Sequence, residues 1–177
     1  NGDIQEIGMA RLSSISPDDR LQLRLHGKGY FFDNARRKHG ALMHEVLSRI
    51  RTRKDIPQSV ERYRQEGVID REEAASLVAR LEELLSLPEA ASWYDGTAHV
   101  LNEVDILFGK GLSKRPDRVM ITGNSVIVID YKFGEHTDQR YHSQVRNYLK
   151  LIRQMGYGEV EGFLWYVELN KIEAVKG

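Results

Sequence analysis

The sequence predicts an α/β fold, a small mixed β-sheet flanked by helices and carrying a helical insertion. Three observations predict it. Two β-rich runs, Val119–Ile121 and Val126–Ile129, flank a Gly123-Asn124 pair. Apolar residues recur at helical spacing on either side of those runs. The elements then fall in the order helix, three strands, helix, strand, which leaves helices to cover the faces of one sheet. With 177 residues, the chain suits one domain with a real core, residues 1–177.

The elements follow in order. Residues 1–33 read as irregular, with Ser16-Pro17-Asp18-Asp19 as a turn. Asn34 to Arg53 reads as a helix whose core stripe is Met43, Val46, Leu47 and Ile50. Pro57 to Gln65 reads as a short helix ended by Gly67. Asp70-Arg71-Glu72-Glu73 has a capping-box pattern before a second helix that runs to about Ser86. Pro88 opens a further helical turn toward Trp93, so residues 55–94 form the helical insertion. A strand follows at about His99 to Phe108, then the hairpin strands at about 116–122 and 125–132. Asp138 to Gln154 reads as a helix with Tyr141, Val145, Tyr148, Leu149, Ile152 and Met155 on one side. Gly156 and Gly158 end it. Val160 to Glu168 is a strand, and Lys171 to Val175 a last one after the Leu169-Asn170 turn.

Composition narrows the class. Hydrophobic content of 41% and charged content of 29% are those of an ordinary globular protein. There is no apolar run near 18 residues and no signal-peptide pattern, so no membrane partner and a cytoplasmic location are expected. The first residue is Asn, which reads as a piece of a longer polypeptide. Cysteine is absent, which excludes disulfides, thiolate zinc sites and an iron–sulfur cluster built from this chain. Net charge is zero but unevenly spread. Leu21 to Lys54 holds nine Lys/Arg against two acids, and Asp55 to Lys110 five against twelve. Such a basic segment suits a nucleic-acid footprint as well as a solvated helix face.

The hairpin raises the chemical question. With Gly123 and Asn124 as the turn, Thr122 pairs with Ser125 and Asp117 comes opposite Asp130. Opposed residues have Cβ atoms roughly 4.5–5.5 Å apart, and like charges there are destabilising. Side chains alternate with period two, so Lys132 shares the face of Asp130. A longer turn would shift this register. A divalent ion resolves the repulsion, since Mg²⁺ binds through one or two carboxylates, waters and substrate phosphate. Such an ion can generate hydroxide and polarise a phosphoryl oxygen. A nearby lysine can hold the attacking water and offset developing charge. A single D-x-K tripeptide is equally at home on an ordinary surface, so further residues must carry the case. Gly27-Lys28-Gly29 and Gly109-Lys110-Gly111 do not belong to a Walker A loop.

Four segments, in order, resemble the RecB-like branch of the PD-(D/E)xK nucleases, the nuclease domains of RecB- and AddA-type helicase–nucleases. Gly40-Ala41-Leu42-Met43-His44 resembles the G-x-x-x-H helix of that family. Arg115-Pro116-Asp117-Arg118-Val119 resembles the strand bearing its first aspartate. Ile129-Asp130-Tyr131-Lys132 resembles its D-Y-K strand, and Gln144-Val145-Arg146-Asn147-Tyr148 its Q-x-x-x-Y helix. The likeness spans about Gly40 to Val175. It implies a restriction-endonuclease-like PD-(D/E)xK core and a Mg²⁺- or Mn²⁺-dependent deoxyribonuclease of exonuclease type.

By the same resemblance His44, Asp117 and Asp130 ligate the metal, the Tyr131 carbonyl adds a ligand, and Lys132 positions the nucleophilic water. Gln144 and Tyr148, four apart on one helical face, support the site or touch the DNA backbone. Glu103 stands where relatives often carry an acid and aids a second metal or a water. Each has a plainer reading: a lone helical histidine can be structural, Tyr148 core, Gln144 a solvated flank, and Glu103 an edge-strand glutamate. The implied partners are DNA, as single-stranded ends, upstream helicase domains of the same polypeptide, and a second subunit of a helicase–nuclease complex in DNA repair and recombination. The competing reading is a non-catalytic DNA-binding or scaffolding module of the same fold. Another is a stand-alone endonuclease of that superfamily.

Overall fold

The computed structural model describes residues 28–107, 113–134 and 136–177. Contacts divide the chain into two units, Asn1–His39 and Gly40–Gly177, and the whole sheet and site lie in the second. The turn expected at Ser16–Asp19, and the Gly109–Gly111 segment, fall outside the described residues.

Among the described residues the helices are α1 (Lys28–Arg49), α2 (Ile56–Gln65), α3 (Arg71–Leu84) and α4 (Gln139–Gln154), with one-turn 3₁₀ segments at Arg53–Asp55 and Ala91–Tyr94. The strands are β1 (His99–Asn102), β2 (Ile106–Leu107), β3 (Ser113–Lys114), β4 (Arg118–Thr122), β5 (Ser125–Lys132), β6 (Glu159–Tyr166) and β7 (Lys171–Val175). Five of them form a mixed sheet in the order β1-β4-β5-β6-β7; β2 and β3 pair separately. Among the described strands only β5 and β6 pair in parallel, and α4 provides the crossover between them.

The hairpin forms about the expected turn. Thr122 pairs with Ser125, and the ladder runs to Arg118 opposite Ile129. Gly123 takes φ +58°, the left-handed conformation that the first central residue of a type II′ turn requires and glycine supplies at no steric cost. Period-two alternation then sorts β5 between two cores. Val126 and Val128 join Val145, Tyr148, Leu149 and Ile152 of α4. Ile129 and Tyr131 join Met43, Val46, Leu47 and Ile50 of the α1 stripe on the other face. The same core takes in Ile56, Val60, Leu77, Leu81, Leu84, Trp93 and Tyr94, so the helices of the 55–94 segment close one face of the sheet. Burying each such side chain stabilises the fold by roughly 1.5–3 kcal/mol.

Asp70 caps α3 as its pattern implied: its side chain accepts Glu73 N–H at 2.8 Å, and the Glu73 carboxylate accepts Asp70 N–H at 2.9 Å. Three expectations need correcting. The first helix already includes Lys28 and stops at Arg49 instead of Arg53. The carbonyls at its end and just beyond are taken by side chains from the strands: Asn102 donates to Ser48 O and Ile50 O, and Arg118 to Ile50 O and Arg51 O. The strand expected through Phe108 breaks after Asn102, because Glu103 takes φ +49°. Met155 is 65% exposed instead of core, since it is the C-cap residue of α4 and turns away from the sheet.

Candidate active site

The site forms where the hairpin opens, at the C-terminal end of β5, between α1 and α4. Its foundation is the pairing that follows the last rung. Asp117 lies just outside β4, and its carboxylate takes the place of a ladder acceptor: Tyr131 N–H donates to Asp117 Oδ2 at 2.6 Å. The backbone carbonyl of Asp117 in turn accepts Glu103 N–H at 3.0 Å. Asp117 is thereby held by the chain on both sides.

His44 comes in from α1. Its Nε2 lies 2.8 Å from Asp117 Oδ1, and its Nδ1 lies 3.5 Å from Glu103 Oε1. A carboxylate faces each ring nitrogen, and the hydrogen bond to Asp117 is the main reason the imidazole pKa is raised above 6.5, against partial desolvation. The approach of α1 depends on Gly40, one turn before His44. A Cβ there would stand 3.0 Å from Phe133 Cβ, a distance real Cβ atoms barely tolerate. Phe133 directly follows Lys132 and also meets the His44 ring edge-on, with centroids 6.0 Å apart.

On the α4 side Asp130 is buried, with 3% of its side chain exposed. Its pKa is pushed up to about 6, first by burial and then by the charge of Asp117, with Lys132 offsetting part of this. Lys132 Nζ stands 2.5 Å from Asp130 Oδ2, yet Oδ2 gains no hydrogen bond of good angle. The contact is close in charge and poor in direction, an ion pair and no more. Lys132 also donates to Gln144 Oε1 at 3.3 Å. Gln144 Nε2 donates to Tyr148 OH at 2.8 Å, and Tyr148 OH to Arg115 O at 3.3 Å. A line of side chains thus joins β5 through α4 to the segment before β4, and Tyr148 serves both the core and this line.

Two groups therefore meet. His44, Glu103 and Asp117 form one, and Asp130, Lys132, Gln144 and Tyr148 the other, with the Asp117–Tyr131 bond between them. Tyr131 contributes only backbone here, because its side chain lies in the opposite core, where its hydroxyl pairs with Tyr94 OH at 2.5 Å. Glu103 half-faces solvent in a left-handed conformation that costs a non-glycine residue of order 1 kcal/mol or more. It is not the strand residue expected.

The fit of a divalent cation rests on the donors. Asp117 and Asp130 are hard oxygen ligands of the kind Mg²⁺ and Mn²⁺ take, and Asp130 Oδ2 is a buried oxygen without a hydrogen bond. Each carboxylate stands beside a cationic or protonatable side chain, Lys132 or His44. As the side chains stand, no three His, Asp or Glu side chains close on one point among the described residues. His44 meets Asp117 as a hydrogen-bond partner.

One supporting residue escaped the sequence reading. Arg118 is fully buried without a carboxylate among the described residues. It donates to the carbonyls of Ile50 (2.8 Å), Arg51 (2.8 Å) and Trp93 (2.6 Å), and its guanidinium lies 4.0 Å from the Tyr94 ring centroid. It ties the end of α1 to the residue after Asp117, which sets where His44 can reach. The signal was present: Arg118 shares the inward face of Met120, where a charge has to be used or paired.

The family model described as the PD-(D/E)XK nuclease superfamily matches residues 20–177. That span includes every residue of the site. No curated protein matches the chain.

Proposed function

The chain belongs to the PD-(D/E)XK nuclease superfamily, and on that premise we propose that it is a Mg²⁺- or Mn²⁺-dependent exonuclease domain of a helicase–nuclease that processes DNA ends. The superfamily's members are generally nucleases acting on DNA and generally use divalent metal ions. The single observation that carries the reading is the placing of Asp130 and Lys132 in one buried pair beside Asp117, on a hairpin whose apolar faces give no other use for them.

Asp117 and Asp130 would hold the ion, joined by the Tyr131 carbonyl and by His44, whose ligation would replace its hydrogen bond to Asp117. When bound, the ion supplies Lewis acidity toward the phosphodiester and neutralises charge near the carboxylates. Lys132 does the local work. Its ammonium orients the water that attacks phosphorus and stabilises charge on the phosphoryl oxygens as the 3′-oxygen leaves. Gln144 and Tyr148 hold Lys132 from α4, and Glu103 assists at the His44 side. Upstream helicase domains and a second subunit are the assembly this reading implies, and the repair and recombination roles go with it.

The test is cleavage of linear single-stranded DNA with Mg²⁺ or Mn²⁺ and no ATP, repeated in excess chelator. Loss of cleavage in chelator is expected. Cleavage that survives would overturn the metal mechanism. DNA binding in Ca²⁺ with no cleavage in any metal would favour the scaffolding module.

A further inference from the structure

We infer that Tyr141 is a positioning residue for Lys132. The inference rests on the proposed role of Lys132 in hydrolysis. The Lys132 ammonium lies 4.5 Å from the centroid of the Tyr141 ring, within cation–π range. Its other polar neighbours among the described residues are Asp130 Oδ2 at 2.5 Å and Gln144 Oε1 at 3.3 Å. Tyr141 stands three residues before Gln144 on α4, so both reach the same point from one helical face. The lysine side chain is only 18% exposed.

The physical point is what the ring does not take. A lysine has three N–H donors on a stem with many rotamers. Gln144 Oε1 takes one of them, and Asp130 Oδ2 holds the charge without a well-directed hydrogen bond. A further polar neighbour would consume another, whereas an aromatic face attracts the charge and restricts the stem while leaving the free donors for a water or phosphoryl oxygen. Tyr141 also packs against the core that holds Val145 and Leu149, so its effect has to be separated from packing.

Fluorinated phenylalanines make that separation, because stepwise fluorination weakens the ring quadrupole with little change of shape. The series at position 141 is the native Tyr, Phe, then mono-, di- and trifluoro-Phe, with Tyr141→Leu as the end point. Single-turnover DNA cleavage and Ca²⁺-supported DNA binding are measured for each. Tyr141→Phe is expected to keep most of the rate, which then falls stepwise with fluorination and by roughly 5- to 30-fold in Tyr141→Leu, at constant DNA affinity. A flat rate along the fluorinated series, or affinity falling in step with rate, overturns the inference. If the native protein cleaves no DNA, the nuclease reading fails on its own, and the inference is decided by NMR of the DNA-free protein. Lys132 Hε protons should then show an upfield ring-current shift in the native protein and in Tyr141→Phe that is lost in Tyr141→Leu. Its absence from the native protein would overturn the inference.

Discussion

Asp130 and Lys132 share one face of β5 and stand 2.5 Å apart, with only 3% of the aspartate side chain exposed. The proximity does not restore an ordinary carboxylate. Burial and the charge of Asp117 outweigh the lysine and push the Asp130 pKa up to about 6.

A pH-dependent penalty follows from that value. The folded-state pKa lies above the ordinary 3.8, so the folded state holds this proton more tightly. The resulting stability is full below about pH 4 and is lost as pH rises through about 6. A shift of roughly two units corresponds to about 3 kcal/mol. In chelator, Asp130→Asn should therefore melt several degrees above the native protein at pH 7.5, with the gain gone by pH 4. Parallel melting curves from pH 4 to 8 would contradict the burial of a strained carboxylate.

Asp117→Asn should behave differently, although both variants should lose cleavage. Asp117 accepts from Tyr131 N–H and pairs with His44. An amide has one acceptor oxygen; with Tyr131 N–H on it, the NH₂ faces His44 and the charged partner of the protonated ring is lost, so a loss of roughly 1–2 kcal/mol is expected in chelator. The His44 pKa, raised chiefly by this hydrogen bond, should fall back in the variant. Urea unfolding and an NMR titration of the His44 ring read the two effects, and an unmoved His44 titration would break the link.

Lys132→Ala distinguishes nuclease from scaffold. An interaction made mainly in the transition state lowers turnover more than binding. Single-turnover cleavage should fall roughly 10²–10³-fold, the scale of one lost preorganised donor. Affinity for DNA in Ca²⁺ should barely change. Weakened binding beside an unchanged cleavage rate would remove Lys132 from the chemistry.

Arg118→Lys should be far from conservative. Three backbone carbonyls converge on a planar guanidinium that also stacks on Tyr94, and an ammonium cannot reach all of them. A loss of roughly 2–4 kcal/mol is expected in urea unfolding. Stability within about 0.5 kcal/mol of the native protein, the range of an ordinary surface substitution, would show that the end of α1 is held by other means.

The sequence by itself determined whatever depends on neighbours along the chain. The Gly123-Asn124 turn set the hairpin register, which Thr122–Ser125 and Arg118–Ile129 obey. Period two then placed Asp130 and Lys132 together on the α4 side, and period 3.6 gave α1 its apolar stripe and brought Gln144 to Tyr148. The tertiary structure decided what depends on contacts between distant segments. Where α1 ends at Arg49, Asn102 and Arg118, some fifty or more residues away, take the carbonyls of Ser48, Ile50 and Arg51. Glu103 leaves the strand where its N–H turns to the Asp117 carbonyl. The bond between His44 and Asp117 spans 73 residues, and the ring of Tyr141 finds Lys132 only once α4 crosses the sheet. Local periodicity can say which face a side chain takes; how deeply Asp130 is buried, and which charge it meets there, comes from packing that no short stretch of chain encodes.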